Sequence, residues 1–127
     1  MKKKIFVFGN MDLEMDNLPL RILPKLQEKF PGTDFVLKDP NEEWEVPQEI
    51  TVLDTAVGIK EVTVFDNLEN FSKVPRVGMH DFDVLTNLRY LQKLGKIKKV
   101  KIIGMSPDME ESEAIKKVSA ILRQRSI

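Results

Sequence analysis

The chain has 127 residues, balances 20 Lys and Arg against 20 Asp and Glu, and contains no cysteine. This composition predicts one globular domain over residues 1–127 and excludes a disulfide framework, a thiolate nucleophile, an iron–sulfur site and a cysteine-ligated zinc site. Because the net charge is zero and no apolar stretch reaches membrane-spanning length, we expect a cytoplasmic protein that binds neither nucleic acid nor membrane.

The first half of the sequence predicts three strands and one amphipathic helix. Residues 4–8 are an apolar, β-rich run that predicts a buried strand. A helix is expected over about 18–30, where apolar residues recur every four positions, and Pro24 should kink or divide it. Shorter β-rich runs at 35–37 and 50–53 predict the second and third strands.

The second half continues this alternation of strands and helices. Residues 61–65 alternate apolar with polar side chains, which indicates an edge strand, and 66–78 read as a loop. A helix over about 81–94 is followed by a strand at 100–103 and by a last helix over about 112–125, with Ser112 as its cap. The leucines expected to face the core are Leu85, Leu88, Leu91 and Leu94. We therefore predict an α/β fold with three layers, α/β/α, around a mainly parallel five-stranded sheet of the phosphorylase/hydrolase-like type.

Three polar residues follow or end predicted strands and are candidates for chemistry. Asp16 lies in the loop after the first strand, Asp54 ends the third, and His80, the only histidine, opens the helix before the fifth. The carboxyl ends of parallel strands meet at one edge of such a sheet, where ligand sites collect. Two carboxylates and one imidazole can hold a divalent metal or transfer protons. Each residue also has a structural explanation, as a helix cap, a turn initiator and a hydrogen-bonded loop residue, respectively.

The loop after the first strand, which opens with Gly9 and Asn10, does not fit a nucleotide site. It contains neither a Gly-x-Gly-x-x-Gly nor a Gly-Lys-Ser/Thr pattern. Its carboxylates, Asp12, Glu14 and Asp16, would repel phosphate groups, so a cation is the more natural ligand. With one histidine and no cysteine, a serine or cysteine nucleophile activated by histidine is not indicated beside it.

Taken in order, these residues resemble the nickel–iron hydrogenase maturation endopeptidases. The stretch 9–21 is similar to that family's first motif, in which Gly-Asn, four residues and an acidic pair lead into a helix carrying Arg. The stretch 53–56 resembles its strand-ending Val-Asp-Ala motif, and 79–85 resembles the segment in which a His opens a helix. Residues 101–108 look like the family's last strand with its Gly. The resemblance spans nearly the whole chain.

The chain departs from the family's pattern at three places. Met15 stands where the family has the first acid of the pair, and Asn17 and Pro19 replace its glycines. The stretch 39–42 replaces an Asp-Gly-Gly-Thr motif that leads into an extra helix and helps to form the substrate cleft. The resemblance therefore implies a shortened and divergent member of the family.

The resemblance implies an endopeptidase that removes the C-terminal extension of a hydrogenase large-subunit precursor after nickel insertion. Asp16, Asp54 and His80 match the family's metal ligands and would be the catalytic residues, while the nickel arrives with the precursor. We expect other divalent metals to bind in vitro, and Gly9 and Asn10 to support the loop or the developing oxyanion. Two alternatives stay open: an accessory protein of this fold that binds metal or precursor without cutting, and a small-ligand-binding domain without a metal.

Overall fold

The computed structural model describes residues 3–9, 12, 17–38, 48–72 and 79–125, without the side chains of 3, 72, 79–84 and 125. In this part of the chain, a strand–helix pair at each end flanks a run of three strands and two helices. In chain order the elements are β1 (Lys3–Val7), α1 (Leu18–Lys29), β2 (Thr33–Leu37), β3 (Glu49–Thr55), β4 (Thr63–Phe65), α2 (Leu68–Ser72), α3 (Met79–Lys93), β5 (Lys99–Met105) and α4 (Glu111–Arg125).

The strands form one sheet in the order β2-β1-β3-β5-β4. The first four strands in that order are parallel to their neighbours, and β4 pairs antiparallel with β5 at the edge. The predicted mainly parallel five-stranded sheet is therefore confirmed, as is the edge position of the fourth strand. Central β3 pairs with β1 on one side and β5 on the other, and consecutive side chains from Val52 to Thr55 are buried, so both of its faces are covered.

Helices cover both faces of the sheet, so the predicted three layers are confirmed. Alternate side chains of each strand point to opposite faces, and two separate apolar clusters result. One cluster contains Leu18, Ile22 and Leu26 of α1 and Ala114, Val118 and Leu122 of α4. The other contains Leu68 and Phe71 of α2 and Leu85 and Leu88 of α3. In the described part of the chain, no helix is both long and apolar enough to span a bilayer.

Helix α1 continues through Pro24, which was expected to kink or divide it. The helix is not divided, because the buried side chains of Ile22 and Leu26 hold the turns on both sides of the proline against the sheet. Pro24 itself is exposed. Packing of the apolar stripe thus outweighs the hydrogen bond that proline cannot donate.

Three local predictions in the second half are wrong. Residues 66–78 were expected to be a loop, yet α2 forms there, with the backbone N–H of Asn70 donating to Oδ1 of Asn67 at 2.7 Å. Leu94 was expected to be buried, but it is 52% exposed because α3 has ended at Lys93. Ser112 was expected to cap the last helix and instead lies inside it.

Candidate active site

Asp54 is the penultimate residue of β3 and is fully buried. Its Oδ1 accepts a hydrogen bond of 2.8 Å from the backbone N–H of Thr55. The sequence predicted that Asp54 would end the strand, whereas the pairing with β5 continues through it to Thr55. A carboxylate in a central strand is costly to bury unless hydrogen bonds or a cation compensate it, which makes Asp54 the strongest candidate for function among the described residues.

The imidazole candidate lies on a helix that covers the same face of the sheet as Asp54. Asp54 is two positions from Val52 and from Ala56, so its side chain points to the same face of the sheet as theirs. Val52 and Ala56 belong to the apolar cluster that also contains Leu85 and Leu88 of α3. Helix α3 begins at Met79, so His80 lies in its first turn, as the sequence predicted. The side chain of His80 lies outside the described part of the structure.

The direction of α3 places its first turn at the carboxyl edge of the sheet, which is the side where the parallel strands end. The backbone N–H groups of Lys98 and Lys99, just after α3, donate to the carbonyl of Gln48 at 2.7 and 3.1 Å. Gln48 directly precedes β3, so the end of α3 lies at the amino edge. A helix of 15 residues is about 22 Å long, enough to cross the sheet to the opposite edge, where Asp54 lies.

Gly104 allows an aromatic ring to pack beside Asp54. The two residues are register partners in β5 and β3. A Cβ atom at Gly104 would lie 3.0 Å from Cε2 of Phe65 and 3.0 Å from Cβ of Ala56. The ring of Phe65 in turn contacts that of Phe71 edge-on, with centroids 5.4 Å apart. Phe65 therefore packs against the residue that pairs with Asp54, and the sequence signal for this packing is a glycine within a β-rich run.

The other predicted site residues fall at or beyond the limits of the described structure. Asp16 and Asn10 lie outside the described residues. Gly9 is half-buried and follows Phe8, whose backbone N–H donates to the carbonyl of Leu53 at 3.0 Å. The chain thus leaves β1 directly beside Asp54. This edge is also where α1 begins, two residues after Asp16.

The metal site stays a prediction. Among the side chains that the structure describes, no group of three or more His, Asp or Glu residues is arranged to hold a metal ion. Of the predicted trio, only the side chain of Asp54 belongs to that set. A buried carboxylate is a ligand type that suits divalent metals, and this observation fits the predicted role.

Solved structures identify the fold. The hydrogenase maturating endopeptidase HybD from E. coli superposes with a TM-score of 0.66 at 15% identity, covering 98% of this chain and 93% of its own. A hydrogenase 3 maturation protease gives a TM-score of 0.59 at 13% identity, with 98% and 88% covered. The fold is that of the hydrogenase maturation endopeptidases.

The likeness lies in the fold and not in the overall sequence. An uncharacterized protein from Wolinella succinogenes also matches, with a TM-score of 0.55, 15% identity, and 99% of this chain and 96% of its own covered. No protein-family model matches the sequence. No curated protein matches it with significant sequence similarity. The resemblance predicted from the motifs is therefore borne out at the level of the fold.

Proposed function

We propose that the protein is an endopeptidase that removes the C-terminal extension of a nickel–iron hydrogenase large-subunit precursor after nickel insertion. The observation that carries this proposal is the fully buried carboxylate of Asp54 at the carboxyl end of the central strand. It is supported by the fold shared with hydrogenase maturation endopeptidases, and by the position of His80 on the helix that covers the same face.

In this proposal the precursor brings the nickel, and Asp16, Asp54 and His80 bind it through two carboxylates and one imidazole. Three protein ligands leave coordination positions open for water or for the scissile carbonyl. His80 lies in the first turn of α3, and the positive end of a helix dipole favours the neutral form of an imidazole, which is the form that binds metals. Because Asp54 is fully buried, the local dielectric constant around its carboxylate is lower than in water, which strengthens its attraction for a cation.

The reaction is the hydrolysis of one peptide bond. Bound nickel would supply a Lewis acid, and a carboxylate of the site would accept the proton of a water molecule as its oxygen adds to the scissile carbonyl carbon. The C–N bond then breaks, and the leaving amine takes up the proton. Gly9 and Asn10 support the loop that leaves β1, and the amide of Asn10 can donate a hydrogen bond to the developing oxyanion.

Cleavage of the precursor by variants of the three proposed metal ligands tests the proposal. Asp54→Asn, Asp16→Ala and His80→Ala should each abolish the mobility shift of a nickel-loaded precursor, with the fold checked by circular dichroism. Asp108→Ala is the control, because Asp108 is an exposed carboxylate that follows β5 at the same edge of the sheet. Unchanged cleavage in the Asp16 and His80 variants would contradict the proposal. A wild-type protein that binds the precursor without cutting it would instead be an accessory protein.

The single histidine gives a direct test of metal binding. Zinc or cadmium ions should shift the imidazole nitrogen resonances of His80 in the wild-type protein and leave them unmoved in Asp54→Asn. Because the chain has no second imidazole, the assignment needs no further variant. If no divalent metal shifts these resonances, the result would favour a small-ligand-binding domain without a metal.

A further inference from the structure

Two large apolar side chains are exposed together at the end of α3. Among the described side chains, the exposed large apolar residues are Leu37, Tyr90 and Leu94. Tyr90 is 61% exposed and Leu94 is 52% exposed, and the two are four positions apart. Residues at this spacing are neighbours on a helix surface. A single exposed apolar residue needs no explanation, whereas two adjacent ones form a patch.

The turn that ends α3 holds this patch in place. The backbone N–H of Leu94 donates to the carbonyl of Tyr90 at 3.0 Å, so Leu94 continues the helical hydrogen-bond pattern. The N–H of Lys96 donates to the carbonyl of Leu91, also at 3.0 Å, as in a Schellman motif with Gly95 in the left-handed conformation. Because the backbone is already fixed, a partner that binds here restricts little further conformational freedom.

The surface around the two apolar residues is positively charged. Between Asp83 and Asp108 the sequence contains six Lys and Arg but no acidic residue. Lys99 forms an ion pair with Glu49 at 3.5 Å. Four further basic residues are exposed and make no ion pair with any described residue: Arg89, Lys93, Lys96 and Lys98. The end of α3 therefore combines apolar area with a local excess of positive charge.

Helix-end electrostatics explains only part of this pattern. A cation in the last turn of a helix is stabilised by the negative end of the dipole, and Lys93 occupies that turn. Arg89 lies one turn earlier, where the effect has faded. Nor does the dipole explain why Tyr90 and Leu94 remain exposed between these charges.

We propose that the α3 end patch, formed by Arg89, Tyr90, Lys93 and Leu94, binds a protein segment in which Asp or Glu side chains flank apolar ones. Charge complementarity selects this partner, because carboxylates meet the basic residues while an apolar side chain covers Tyr90 and Leu94. The inference does not depend on the proposed function. Helix α3 ends at the amino edge of the sheet, opposite the edge where Asp54 lies.

Two other anionic partners fit the α3 end patch less well. A helix that binds a membrane surface presents its apolar face to the lipid, whereas the apolar face of α3 is buried through Leu85 and Leu88. Single-stranded nucleic acid stacks its bases on several aromatic side chains, and Tyr90 is the only aromatic residue between Asp83 and Asp108. An exposed leucine beside that tyrosine suits an apolar side chain of a protein.

Fluorescence anisotropy tests the inference with a fluorescein-labelled synthetic helix that carries leucines on one side and glutamates next to them. Tyr90→Ser and Leu94→Ser should each weaken its binding about tenfold, as the loss of a central anchor does. Leu37→Ser is the control, because Leu37 is equally exposed, at 55%, but lies at the end of β2. It should bind the peptide as the wild type does. All three side chains are exposed, so melting temperatures should stay close to that of the wild type.

A second pair of variants tests the contribution of charge. Replacing Arg89 and Lys93 together by Gln should weaken peptide binding about fivefold and make it less sensitive to salt. Replacing Lys25 and Lys29 together by Gln is the matched control. These two exposed lysines are also four positions apart, but they lie on α1, which packs on the other face of the sheet. A peptide with Gln at every Glu position should bind the wild type about tenfold more weakly.

Three results would overturn the inference and leave the proposed function standing. The first is equal peptide binding by Leu94→Ser and the wild type, or equal binding of the Glu and Gln peptides. The second is tighter binding of phosphatidylserine–phosphatidylcholine vesicles or of labelled single-stranded DNA than of the peptide, lost in Leu94→Ser. The third is self-association of the wild type in sedimentation equilibrium that Leu94→Ser abolishes, which would make a second copy of the chain the occupant.

Discussion

A methyl group added at Gly104 should strain the packing beside Asp54. The new Cβ would lie 3.0 Å from two carbon atoms, where ordinary contacts are about 3.5–4.0 Å. Ala56 cannot retreat easily, because its backbone N–H donates to the carbonyl of Met105 at 2.8 Å. Phe65, on the short edge strand β4, must move instead and disturb its contact with Phe71.

The magnitude follows from two opposing effects. Overpacking of a buried site costs about 1–3 kcal/mol. Replacing glycine by alanine in a strand returns about 0.5–1 kcal/mol through the entropy of the unfolded chain. The two effects together leave a loss of at most about 2.5 kcal/mol, and we expect Gly104→Ala to lower the free energy of unfolding by about 1 kcal/mol. For a chain of 127 residues this is a fall of about 4 °C in melting temperature.

Urea and thermal unfolding followed by circular dichroism measure this effect. Gly32→Ala is the control, because a Cβ atom at Gly32 would meet nothing within 4 Å, and we expect no loss of stability there. In a Phe65→Leu background, the cost of Gly104→Ala should shrink, since the ring that it displaces is gone. If Gly104→Ala matched or exceeded the wild-type stability, the glycine would not be required for the close packing.

Four further variants test the packing of the helices by urea unfolding. Ser119→Ala should raise the free energy of unfolding by about 1 kcal/mol, because the buried Oγ of Ser119 has no hydrogen-bond partner among the described residues; a loss would reveal one. Pro24→Ala should raise the free energy of unfolding by about 1–3 kcal/mol, because it restores a backbone hydrogen-bond donor inside α1. An unchanged free energy of unfolding would mean that the helix has adapted to the proline. Leu88→Ala should lower the free energy of unfolding by about 2–5 kcal/mol, because Leu88 is buried. Leu94→Ala should lower it by less than about 0.5 kcal/mol, because Leu94 is half-exposed. Equal losses in the two variants would contradict the end of α3 at Lys93.

The sequence predicted the elements whose periodicity extends over several turns or residues. Helix α1 has a strong apolar stripe, and its predicted start at Leu18 agrees with the structure. Helix α2 was missed because five residues are too few to show a period, although Leu68 and Phe71 are both buried. Leu94 was misplaced because it keeps the leucine spacing after the helix has ended. The turn that ends α3 is closed by Gly95, at φ 79°.

The candidate site could be predicted as a set of residues but not as a geometry. Motif order indicated Asp16, Asp54 and His80, and the shared edge followed from the rule for parallel sheets. Contacts between residues far apart in the chain left no signal in the sequence. Arg21 and Glu111 are 90 positions apart, and nothing in either segment indicates the other. The packing of Phe65 on Gly104 likewise depends on the antiparallel pairing of β4 with β5.

The two strands at the centre of the site are longer than their apolar runs, and this difference bears on function. Asp54 and Gly104 each appeared to end a strand, because an acid and a glycine are poor strand residues. The ladder between β3 and β5 continues through both, since backbone hydrogen bonds do not depend on the side chain that a residue carries. A carboxylate held inside a ladder is positioned more rigidly than one on a loop, as a ligand to a metal should be. The candidate site of the sheet thus lies at Asp54 and Gly104, the two residues whose types have low strand propensity.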